Sequence, residues 1–160
     1  GEMSFLGAQC RTKGYLRALA DAGIAPDSEL QADAGSSVDA GRSSLKKWLV
    51  THAGQSLPEA IVCYNDSVAF GCLEVLAEAG VRVPQDVSVA GFDDTLAART
   101  TVPQLTTVRQ PLRQMGQRAV EVLLKRIGHA ADASATAVVF PTELVLRASV
   151  GVPRTQGLRA

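Results

Sequence analysis

The sequence predicts an α/β fold, a doubly wound, mainly parallel sheet flanked by helices. Three observations carry this. Ala60-Ile61-Val62-Cys63-Tyr64 is a short, continuous apolar run, the pattern of a strand buried on both faces. A helix follows from about Ser67 to Ala79, with Ala69, Cys72, Leu73 and Leu76 on one stripe, and Gly80 closes it. Val87 to Phe92 then form a second strand. Strand, helix, strand over this length is a βαβ unit, so the two strands are expected to be parallel with a right-handed crossover.

The remaining elements fall in order around this unit. Residues 8–22 read as a helix, because Tyr15, Ala18, Leu19 and Ala22 share one face; Gly23 and Pro26 end it. A polar loop runs to Ser37. A second helix over 38–53 carries Leu45, Trp48 and Leu49 on one side, with Trp48 as a core anchor. After the second strand, residues 94–99 read as a short helical turn, and a loop around Pro103 leads to Thr106-Thr107-Val108. Pro111 sits in the first turn of a long helix, where its missing N–H costs nothing. Leu112, Met115, Ala119, Leu123 and Ile127 form the apolar face of that helix, and Gly128 closes it. Residues 129–136 read as a loop. Val138-Val139-Phe140 and Leu144-Val145-Leu146 read as two short strands, and 151–160 as a frayed tail.

Composition narrows the function. With 16 basic and 16 acidic residues the formal net charge is zero, so this chain lacks the electrostatic footprint of a nucleic-acid binder. Aromatics are only 4%, so the core is expected to be aliphatic. Cys10, Cys63 and Cys72 have no CxxC spacing, which argues against a zinc site or disulfide framework. They read as free thiols suited to a reducing cytoplasm. No stretch approaches the ~20 apolar residues that span a bilayer, and no signal peptide is visible.

Two strands end in polar clusters, Tyr64-Asn65-Asp66 and Phe92-Asp93-Asp94. In open α/β sheets, ligands sit beyond the carboxyl ends of parallel strands. Asn65 and Asp93 stand directly at those ends and are assigned to a ligand. Asp66 and Asp94 each precede a helical segment and are assigned mainly to capping or local turns, the ordinary role of Asp there. Adjacent acids in one turn cannot straddle a glycosidic bond as a carboxylate pair must. No Ser-His-Asp set, nucleophile elbow or P-loop is present. His52 and His129 read as solvated side chains. No catalytic residue, metal site or cofactor is therefore expected.

The segments "RTKGYLRALADAGI", "IVCYNDSVAFGCLEVLAEAGVRVPQDVSVAGFDDT", "VPQLTTVRQPLRQMGQRAVEVLLKRI" and "ELVLRASV" follow one another in an order that resembles the lactose-repressor (LacI/GalR) family. The resemblance covers about Arg11 to Val150, and it is to that family's effector-binding domain, whose fold is like that of a periplasmic sugar-binding protein. It implies that residues 1–150 are the C-terminal part of a two-subdomain sensor. The helix over 111–128 would match a piece that packs in the other subdomain. It also implies a cytoplasmic transcriptional regulator that homodimerises and binds a DNA operator through a headpiece not contained in this chain. A small-molecule effector, most simply a sugar, would control that binding. By motif, Arg11 of "RTKG", Asn65 of "YND" and Asp93 of "GFDD" match the family's ligand contacts. The chain departs from the family pattern in "ADAGSSVDAG", where a sugar-stacking aromatic is often found and only small residues stand. A periplasmic solute-binding protein is the alternative, disfavoured by the unpaired cysteines and by "PQLTTVRQPLRQMG".

Overall fold

The computed structural model describes residues 6–128 and 137–153. The loop expected over 129–136 and most of the expected tail lie outside them. Among the described residues there are four helices and four strands: α1 (Leu6–Asp21), α2 (Val38–Thr51), β1 (Ala60–Val62), α3 (Asp66–Glu78), β2 (Ser88–Ala90), β3 (Thr107–Arg109), α4 (Leu112–Gly128) and β4 (Glu143–Val145). Short 3-10 turns cover Ser28–Leu30 and Leu96–Arg99.

The expected βαβ unit is formed. β1 and β2 are parallel, with Ala60 opposite Ser88 and Val62 opposite Ala90. The pairing then continues past the strand ends. Cys63 donates its N–H to Ala90 O, and Asp66 donates to Phe92 O, both at 2.8 Å. On its other side β2 is joined to β3 by parallel bridges at Ala90–Thr106 and Asp93–Arg109. β4 adds antiparallel, with Thr107 opposite Val145. The four strands therefore run in the order β1-β2-β3-β4 along one bridged surface.

Ser149 locks the middle of it. Its hydroxyl donates to Val89 O at 2.6 Å and accepts from Thr106 N–H at 2.8 Å, and its carbonyl accepts from Val89 N–H. The residue is fully buried, so each of these bonds replaces one that water cannot supply.

The core is aliphatic, as the composition requires: Leu45, Val68, Ala69, Val75, Leu76, Val87, Val89 and Leu105 form one cluster with Cys63 and Cys72. Helices α2 and α3 pack on each other through Gly41 and Gly71. A methyl group at Gly71 would overlap Val38 O, and one at Gly41 would overlap Val68 O, so only glycine permits this approach. Trp48 packs against the edge of the cluster, donates to Glu29 O at 2.9 Å, and stacks on His52.

Two expectations are corrected, the first of them for β1: Ala60 is exposed and Val62 is 64% exposed, so this strand is not buried on both faces. Residues 138–140 are not a strand: the segment is irregular, and Val139 is 89% exposed. Among the described residues no strand pairs with it, and propensity alone does not make a ladder. The helix α4 forms as expected, but none of its described residues is buried. Leu112, Leu123, Leu124 and Ile127 on it are each more than half exposed.

Candidate functional site

The two polar clusters do meet at one edge of the sheet, because the Asp66–Phe92 backbone bond joins the ends of β1 and β2. Arg11 reaches this edge from α1. Its Nη1 donates to Tyr64 O at 2.6 Å, and its Nη2 lies 3.8 Å from Asp93 Oδ1. The guanidinium carbon stands 3.8 Å from the Phe92 ring centroid and 4.5 Å from that of Tyr64. Both rings favour a cation over their faces. Arg11 is thus held by a carbonyl, two aromatic faces and a carboxylate, while a quarter of its side chain stays open to solvent.

Asp93 is the acidic wall of the same site. Gln110 Nε2 donates to its Oδ1 at 2.7 Å, and its side chain is 30% exposed. Burial pushes its carboxyl above the ordinary value; Arg11 and Gln110 pull the other way without cancelling this. The backbone adds a second mark. Asp93 has φ +119 and Asp94 φ +52, a region that non-glycine residues seldom occupy. Such conformations cost on the order of 1–3 kcal/mol and concentrate at functional sites. The bridges to Val108 and Arg109 hold Asp93 in place.

Asn65 has a structural part that the sequence reading gave to Asp66. It, not Asp66, is the N-cap of α3: with φ −150 and ψ 177, its Oδ1 accepts from Val68 N–H at 2.9 Å. Its Nδ2 donates to Ser36 O at 3.0 Å, pinning the loop before α2. One N–H and one lone pair remain for a ligand. Asn65 follows Tyr64, whose carbonyl takes Arg11, so the three predicted residues share this edge. Only Arg11 and Asp93 approach each other directly among the contacts described.

Asp66 and Asp94 are structural, though neither caps a helix with its side chain. Asp66 is fully buried in the first turn of α3, and accepts from Thr95 N–H, Thr95 Oγ1 and Thr107 Oγ1 at 2.7, 3.0 and 2.6 Å. Asp94 is 2% exposed and gathers three arginines: Arg147, Arg109 at 2.6 Å and Arg99 at 3.4 Å. Burial alone would raise its carboxyl, but the bonds from Arg147 and Arg109 hold it below the ordinary value.

Sequence reasoning missed Tyr64, Phe92 and Gln110. The first two open the polar clusters, so they were readable as strand ends. Their stacking on Arg11 depends on where α1 docks, which no local pattern encodes.

The chain as a whole has relatives in sequence and in fold. The periplasmic binding protein-like domain family matches residues 5–150. The chain is 34% identical to the HTH-type transcriptional repressor PurR of Pasteurella multocida over 94% of its own length and 44% of the repressor's. It superposes on the crystal structure of a LacI-type transcription regulator from Bifidobacterium animalis with TM-score 0.82 and 30% identity, covering 91% of this chain and 51% of that one. A CelR transcriptional regulator solved as a cellobiose complex matches with TM-score 0.80 and 31% identity, over 87% and 41% of the two chains. The chain spans about half the length of these proteins or less. Matched over residues 5–150, nearly all of its length, the chain belongs to the periplasmic binding protein-like domain family.

Proposed function

We propose that this chain is the C-terminal half of the effector-binding domain of a LacI-type repressor, and that it takes a small polyhydroxylated ligand, most simply a sugar. The pairing of Arg11 with Asp93 at the sheet edge carries this reading. Arg11 presents N–H donors and Asp93 presents acceptor oxygens, so vicinal hydroxyls find both kinds of partner within one ligand width. Tyr64 and Phe92 carry the Arg11 guanidinium on their faces and so fix its donors beside Asp93. Asn65 contributes its remaining donor and acceptor. The cellobiose held by the matching regulator supports the same ligand class.

In this reading the apolar face of α4 is covered by the rest of the sensor, and the ligand lies between the two halves. Closing on it shifts the pairing of two subunits, and with it the spacing of two DNA-reading segments outside this chain. A ligand shifts such an equilibrium only by its differential affinity for the two states, and half-site spacing sets operator fit. The test uses the complete regulator: calorimetric titration with mono- and disaccharides, then operator binding with and without the best ligand. Binding that is lost in Arg11→Ala and Asp93→Asn, with operator affinity changed in the parent, is the expected result. Equal binding by parent and variants would overturn the site; unchanged operator affinity would overturn the regulatory role.

A further inference from the structure

Cys63 and Cys72 are free, but they are not separate. Cys63 directly follows β1, Cys72 lies midway along α3, and their sulfurs are 4.0 Å apart. Cys72 Sγ is also 3.9 Å from Gly41 O, at the close approach of α2 and α3. Both cysteines are buried, at 7% and 5% exposure. Both nevertheless line a cavity of about 300 Å³ that extends past Tyr64 and Arg11 towards Trp48. A small polar reagent therefore has space beside the two sulfurs. Neither residue serves the ligand site, and packing alone does not require two thiols side by side.

We infer that Cys63 and Cys72 form a site of reversible oxidation, closing to an intrachain disulfide with hydrogen peroxide as the oxidant. A disulfide needs the sulfurs about 2.05 Å apart, so they must close by roughly 2 Å from contact, within the reach of side-chain rotation and a small shift of α3. The thiolate is the reactive form. In the sulfur–sulfur hydrogen bond Cys63 is the donor and Cys72 the acceptor, an arrangement that favours the thiolate at Cys72. The Cys72 thiolate attacks one peroxide oxygen; the S–O bond forms, the O–O bond breaks, and hydroxide leaves to join the proton that Cys72 gave up. Cys63 sulfur then attacks the sulfenic sulfur. The S–S bond forms, the S–O bond breaks, and the oxygen leaves as water with the Cys63 proton. Two thiols lose two electrons, and one peroxide becomes two waters. The bond forms one residue from Tyr64, whose carbonyl holds Arg11.

The test is mass spectrometric, on the chain carrying Cys10→Ser, since Cys10 is exposed and would link copies. Folded protein is treated with hydrogen peroxide, quenched, denatured, alkylated with N-ethylmaleimide and digested with trypsin. Residues 48–82 contain no Lys or Arg before Arg82, so both cysteines fall on one peptide. The greater part of that peptide should run two hydrogens light with no maleimide, and dithiothreitol should restore two maleimide adducts. Cys72→Ser, which cannot close the bond, should give no such species. Two adducts after peroxide, or separate oxidation of each sulfur to sulfinic acid, would overturn the inference.

Discussion

Thr107 donates its hydroxyl to Asp66 at 2.6 Å, with both side chains fully buried. That one bond ties the first turn of α3 to β3 across the sheet edge on which Arg11 and Asp93 meet. Asp66 also takes Thr95 N–H and Oγ1, so one carboxylate gathers three segments that are far apart in sequence. Thr107→Val keeps the shape and removes one donor to a buried charge, at a cost of about 2 kcal/mol. Asp66→Ala strands all three donors and should cost at least ~3 kcal/mol. Urea denaturation of the two variants checks the order; equal stability of Asp66→Ala and the parent would show the cluster to be idle.

Gly91 lies against the same carboxylate. A β-carbon there would overlap Asp66 Oδ1 and stand 3.0 Å from Leu105 Cδ2. Gly91→Ala should therefore destabilise by about 1–3 kcal/mol, the range for overpacking, although alanine is the smallest possible change. Thermal melts decide it. The paired change Gly91→Ala with Thr107→Val should fall short of the sum of its parts, because both act on Asp66.

Asp93 and Asp94 are adjacent and should respond oppositely to pH. The folded state holds Asp94 below its ordinary value of 3.8. Its contribution is therefore fully present above about 3.8 and is lost as pH falls through the lower folded value. Asp93 is held above 3.8, so its ionised form opposes folding at neutral pH, and that opposition fades as pH falls towards 3.8. Asp94→Asn should lose about 2 kcal/mol at pH 7, since it weakens bonds from three arginines. Asp93→Asn should equal or exceed the parent at pH 7, with the gap closing towards pH 3.8. Denaturation midpoints from pH 7 to pH 3 read both slopes; the same sign for the two variants would refute the assignment.

The sequence shows the βαβ unit because two signals agree there: apolar runs of strand length and a 3.6-residue stripe between them. Motif and strand-end position single out Arg11 and Asp93, which the fold brings to within 3.8 Å of each other. What the sequence hides is set by tertiary contact. Asn65 and Asp66 are both good N-caps, and the choice falls on Asn65 because Asp66 is drawn inward by Thr95 and Thr107. Val138-Val139-Phe140 has strand composition but pairs with no strand among the described residues. Tyr64 and Phe92 become walls of the site only when α1 docks.

Helix α4 gives the last prediction. Leu123 on α4 is 56% exposed in this chain, so Leu123→Gln should change its stability by less than about 0.5 kcal/mol. If the rest of the sensor covers that face, the same substitution in the complete regulator removes a buried leucine and places an amide among apolar atoms. The cost there should be about 2–4 kcal/mol, in the range of large-to-small core changes. Leu112 and Ile127 lie on the same face and are exposed to a similar degree, so Ile127→Gln should behave alike. Denaturant titration of the pair in both contexts separates the cases. A cost that appears only in the longer protein places the missing partner on α4, and equal, small effects in both would leave α4 facing solvent in the intact molecule.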